Sequence, residues 1–131
     1  MTGSPYILRR AGERPPTTNA ERRNTRWDRA DSTATWRTDF FWRAKQHHIP
    51  PLDRIRVVAI PHHANRRSPQ DTGACAPAVK AAIDGLVDAG VIPDDNGRHV
   101  SEIVYRAPVI DGWDGLELHI WKAPPCTTSA S

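Results

Sequence analysis

The sequence predicts an α+β fold, a small mixed β-sheet packed with two helices in a single domain. Three patterns carry that prediction. Ile55, Val57 and Ala59 alternate with their neighbours, as a half-buried strand requires. Leu116, Leu118 and Ile120 do the same against Glu117, His119 and Trp121. Between them, Val79, Ile83, Leu86 and Val87 recur at helical spacing and make one apolar face.

Taken in order, residues 1–14 read as a flexible basic arm, and Pro15, Pro16, Thr17, Thr18 and Asn19 as an extended or turn segment. Asp31 or Ser32 is placed to cap a helix over Thr33–Gln46. Trp36, Phe40 and Ala44 line one side of it, Phe41 and Trp42 widen the apolar surface, and Pro50 and Pro51 stop it. A strand over Arg54–Ile60 leads through a polar loop, His62 to Gln70, into a helix over Cys75–Ala89. Gly90 suits the left-handed stop of that helix, and Pro93 stiffens its exit. A second strand is expected over Val100–Arg106, a turn cluster over Asp111–Gly115, a third strand over Leu116–Trp121, and a disordered tail over 123–131.

With 131 residues the chain has room for one core. It has 12 prolines and a mean hydropathy of −0.60, and no apolar run approaches membrane-spanning length. The N-terminal residues lack the apolar stretch of a signal peptide. Cys75 and Cys126 stand far apart without metal-type spacing, so the expectation is two reduced thiols in a cytoplasmic protein, in a bacterial host cell if the chain is phage-encoded. Net charge is +3, unevenly spread. Arg9, Arg10, Arg14, Arg22, Arg23, Arg26 and Arg29 face only Glu13, Glu21 and Asp28, and Arg54, Arg56, Arg66 and Arg67 form a second basic group. Guanidinium forks suit phosphate oxygens, so nucleic acid stands beside the plainer reading of a solvated surface.

The acids are arranged unusually. Asp71 precedes the central helix, Lys80, Asp84 and Asp88 follow one another at four-residue intervals along it, and Asp94 and Asp95 come just after it. Lys80 before Asp84 is the poorer order for helix support, and negative charge beyond a helix C-terminus gains nothing locally. A hard cation such as Mg²⁺ takes carboxylate oxygens, keeps several waters, and would reverse that sign. The same acids also make an ordinary soluble helix. His47–His48 and His62–His63 suggest zinc only weakly, because neighbouring side chains point apart; surface or DNA-facing histidines are the expectation.

The run Pro77-Ala-Val-Lys80-Ala-Ala-Ile-Asp84-Gly-Leu-Val-Asp-Ala-Gly-Val-Ile-Pro-Asp94-Asp95, with Val100 opening a strand, resembles the RusA family of Holliday junction resolvases, most of all the versions carried by phages of actinobacteria. The Pro15–Asn19 segment, the Trp36–Arg37 helix ending at Ile49-Pro50-Pro51, and the Arg54–Ile60 strand fall in that family's order, so the resemblance spans about Pro15 to Trp121 and implies one domain over 15–122. It implies a metal-dependent, structure-selective endonuclease that works as a homodimer on four-way or branched DNA, in recombination, repair or phage DNA processing, with no membrane partner. Asp71 matches the first acid of the family's opening motif, while Gly73 and Ala74 stand where a second acid and an asparagine belong. By that match Asp71, Asp95 and Lys80 would be catalytic, and Asp71, Asp95, Asp94 and Asp84 would hold Mg²⁺ or Mn²⁺. Arg22, Arg23, Arg26, Arg54, Arg56, Arg66 and Arg67 would meet DNA phosphates. The alternative is a junction-binding protein of the same fold with weakened or lost cleavage; a third reading is an interaction protein unrelated to DNA.

Overall fold

The alternating strands bury one side each, and that side assembles the molecule. A computed structural model describes residues 3–17, 26–65 and 71–125, the side chains of 26–31 excepted. Its elements are β1 (Tyr6–Ala11), α1 (Arg26–Gln46), β2 (Ile55–His63), α2 (Ala76–Asp88), β3 (Val100–Tyr105), β4 (Val109–Ile110) and β5 (Gly115–Lys122). The sheet runs β1-β5-β2-β3, with the short β4 also on β2. β5 lies antiparallel between β1 and β2, while β2 pairs in parallel with β3 and β4. The mixed sheet and two helices are the α+β architecture that the sequence predicts.

Register explains the core. Val57 stands opposite Ile120 and Ile103, Ala59 opposite Leu118, and Leu8 opposite Leu118, so these side chains share one face. That face packs on Trp36 and Phe40 of α1 and on Val79, Ile83 and Leu86 of α2. Side chains of the other face, including Ile7, Arg9, Val58, Glu117 and His62, lie outside that cluster. The helices meet closely at Gly85, where a Cβ would press into the Arg37 carbonyl oxygen. Arg37 also grips Asp88 across the helix pair with two hydrogen bonds, at 2.6 and 2.8 Å.

The N-terminal segment corrects the expectation of a flexible arm over 1–14. Tyr6–Ala11 pairs with β5 through six register positions. The charge of Arg10 is absorbed on the core side by Asp39, at 2.9 Å, by Glu13, and by the Trp36 ring below it. α1 begins at Arg26 rather than Thr33, ahead of the expected caps at Asp31 or Ser32. Trp42 stays 58% exposed and meets Phe41 edge-on, so it does not widen the core. Ala123 is tied by its N–H to the Arg54 carbonyl and buried, which corrects the expectation of disorder from 123 at that residue; residues 126–131 lie outside the described part. Among the described residues no helix is long and apolar enough to cross a membrane.

Helix propensity alone would make Gly85→Ala stabilising by about 1 kcal/mol. The backbone contact reverses the sign, and overpacking there is expected to cost about 1–3 kcal/mol, seen as a lower midpoint in urea unfolding. A stabilised variant would show that the helices do not need this approach.

Candidate functional site

α2 supplies the centre of the site because its apolar face is fixed against the sheet and α1. Cys75 precedes the helix, buried, with its thiol pushed up to about 11 by burial. Pro77 lies in the first turn, where its missing N–H costs nothing. At the far end, Gly90 takes φ +81°, its N–H bonds the Val87 carbonyl, and the Val91 N–H bonds Leu86. This pair of bonds is a Schellman motif, sealed by buried Val91 against Leu86. It reverses the chain, so that the following loop folds back along α2.

The loop is pinned throughout. Asp94 accepts the Asp95 N–H at 2.8 Å, the Asn96 side chain accepts the Arg98 N–H at 3.0 Å, and the Asn96 carbonyl accepts from His99 and Val100. The His99 ring contacts the Asp53 carbonyl at 2.7 Å, and the Ile55 N–H bonds the His99 carbonyl where β2 begins. This returns Asp95 to Lys80. The Lys80 ammonium contacts Asp84 on its own helix at 2.9 Å and Asp95 on the loop. Two carboxylates from different segments therefore converge on one nitrogen. Asp95 is held below the usual carboxylate range by the Lys80 hydrogen bond, and Lys80 is raised by Asp95 and then Asp84. The Lys80 side chain is 63% exposed, so each bridge contributes about 0–1 kcal/mol to stability.

Of the expected acids, Asp84, Asp94 and Asp95 thus lie together around Lys80. Asp71 is exposed before the helix, its carbonyl accepting the Ala74 N–H at 3.0 Å, and no described side-chain contact joins it to the others. The turn between them runs through Gly73 at φ +88°, a conformation that disfavours the acid expected there. Asp88, at the same four-residue spacing, is drawn away by Arg37. Among the described residues no group of three or more His, Cys, Asp or Glu side chains is arranged to hold a metal ion. The arrangement instead offers two converging carboxylates, a donor set that suits a cation retaining most of its waters.

The basic candidates divide. Arg22, Arg23, Arg66 and Arg67, and the side chain of Arg26, lie outside the described part. Arg54 reaches the carbonyls of Gly97 and Pro124 at 3.5 Å, and Arg56 pairs with Glu102. Arg98, exposed on the Asp95 loop, is a cation near the acids that charge clustering did not single out.

The second histidine pair corrects a further expectation, since His62 and His63 are buried rather than surface residues. His62 stacks on Trp113, its Nδ1 meets Asp111 at 2.9 Å, and its Nε2 lies 3.3 Å from Glu117. Burial pushes Glu117 upward, but His119 and Arg9 outweigh that and hold it below its ordinary value. A cavity of about 310 Å³ opens here between Arg9, His62, Asp111, Trp113 and Glu117. The alternation of β5 marks Glu117 as outward-facing but gives no sign of these partners, which come from distant segments.

Comparison with models of protein families and with curated proteins finds no match in either.

The Asp95 shift has a signed consequence. Stability gained from its depressed value is present above the ordinary aspartate range, near 3.9, and is lost as pH falls through the folded value. A carbon-13 titration should place the Asp95 carboxyl below that range in the native chain and closer to it in Lys80→Met. An unmoved titration would show that Lys80 is not the cause.

Proposed function

We propose that the chain is a RusA-like endonuclease that nicks four-way or otherwise branched DNA with Mg²⁺, acting as a homodimer. The observation that carries this reading is the convergence of Asp84 and Asp95 on Lys80. It falls inside the segment that resembles that family. In this reading Asp95 and Asp84 hold the cation, with Mn²⁺ as a substitute, and Asp94 fixes the Asp95 backbone through its N–H. A cation held by Asp84 and Asp95 would supply positive charge to the phosphate oxygens. Lys80 offers a fixed positive group to the scissile phosphate or the leaving oxygen. Arg98 and the arginines of 22–26 and 66–67 would contact backbone phosphates, which positions DNA without reading its sequence. The two-fold symmetry of a homodimer suits a four-way junction, because one isologous pair presents two copies of the site.

Two observations favour the second reading, a junction-binding protein with weakened or lost cleavage. Gly73 holds a left-handed turn where the family has an acid, and no described side-chain contact joins Asp71 to the converging pair.

A nicking assay on a synthetic four-way junction, with and without Mg²⁺, separates the two readings. Cleavage is expected only with the metal, and Asp95→Asn should lower its rate by roughly 10²–10³ while junction affinity stays nearly unchanged. Tight binding without cleavage at any Mg²⁺ or Mn²⁺ concentration supports the binding protein. Association insensitive to salt would remove DNA from the account altogether.

A further inference from the structure

We propose that the cavity on the sheet face away from the helices is a binding site for a small alkylammonium ion, a cation that brings its own N–H donors. The site is separate from the residues around Lys80 and does not depend on the nuclease reading. Four segments build it. β1 gives Arg9, the end of β2 gives His62, β5 gives Glu117, and the turn between β4 and β5 gives Asp111 and Trp113. At about 310 Å³ it matches the small end of ligand cavities, where a few placed polar groups decide what binds.

Three features of the lining select the ligand. The first is an orphaned acceptor. His62 is 7% exposed, and its Nδ1 faces both oxygens of Asp111, at 2.9 and 3.0 Å. An ionised carboxylate only accepts, so Nδ1 carries the proton and Nε2 of the neutral ring is a bare lone pair. Nε2 is buried without a hydrogen bond, and Glu117 Oε1, 3.3 Å away, is another acceptor. A donor brought to this edge would serve both. The second feature is charge. Asp111 and Glu117 against Arg9 leave one negative charge in excess beside neutral imidazoles, which favours a cation and opposes phosphate or carboxylate ligands. Arg9 holds Glu117 Oε1 at 2.9 Å and His119 holds Oε2, yet a carboxylate has further lone pairs to offer. The third feature is Trp113. Its ring lies on His62 with centres 4.0 Å apart and its N–H reaches Asp111 at 3.2 Å, so the turn holds both residues at the cavity. Indole is the aromatic side chain that attracts organic cations best. A metal ion suits the lining less: among the described residues no three His, Cys, Asp or Glu side chains are arranged to hold one.

The test is a nitrogen-15 NMR titration of the full chain with n-butylammonium, at fixed ionic strength and above the ordinary titration range of histidine. In the free chain Nε2 of His62 should show the resonance of an unprotonated ring nitrogen. The ligand should shift it together with the Trp113 indole N–H, saturating at roughly millimolar concentration, as suits a ligand of few atoms. Tetramethylammonium has the charge but no N–H and should bind more weakly, and acetate should not bind. Asp111→Asn removes one charge at a partly exposed position and should weaken n-butylammonium roughly tenfold. Glu117→Gln should do the same, with circular dichroism checking that each variant is folded. A free amine and a lysine side chain share this chemistry, and a blocked lysine amide run as a second ligand tells them apart. Tighter n-butylammonium assigns a free amine, tighter lysine amide assigns a protein lysine, and either supports the site. A protonated Nε2 in the free chain would overturn the proposal, because the acceptor would then be a donor to Glu117. Equal affinity for the two alkylammonium ions, or no saturable shift at His62 and Trp113, would overturn it as well.

Discussion

The close approach of the two helices at Gly85 is the constraint on which the rest of the structure depends. With no side chain there, α2 settles against the Arg37 backbone, and the Arg37–Asp88 pair fixes how the helices align. That contact sets the rotation of α2. Ala78, Val79, Ala81, Ala82, Ile83 and Leu86 are then turned inward, onto the sheet face built by β1, β5 and β2, and Lys80 is left outward. A different rotation would bury the lysine or carry it away from the returning loop.

Once the helix is set, weak interactions suffice to build the candidate site. The Lys80 bridges are exposed and individually contribute little to stability. Their geometry comes from the loop instead: the Schellman turn at Gly90 starts the reversal, Asp94 and Asn96 hold the backbone, and His99 hands the chain to β3 beside the start of β2. The group around Glu117 is built on the opposite principle. Its carboxylate is buried and engaged by Arg9 and His119, with His62 close by, so it belongs to a network on the sheet that lines a cavity.

Much of this was legible in the sequence where one physical rule acts locally. The strands β2 and β5 show their period because one face of each is fully buried, and α2 shows its apolar face for the same reason. The helix stop at Gly90 followed from local chemistry, whereas Lys80 pairs with Asp84 although that order is the poorer one for helix support. β1 was missed because Arg9 and Arg10 look like a basic tail; only distant partners, Glu117, Asp39 and the Trp36 ring, make them compatible with a strand. The early start of α1 was missed because its mixed charges carry no apolar period. Asp88 looked equivalent to Asp84 until Arg37, 51 residues away in sequence, claimed it.

The proposed function requires Asp84 and Asp95 to hold a divalent cation beside Lys80. The most direct measurement is a crystal structure of the chain grown with Mn²⁺, with data collected at the manganese absorption edge. An anomalous peak is expected at the Asp84 and Asp95 carboxylates. An anomalous map empty at that point at saturating Mn²⁺ would contradict it.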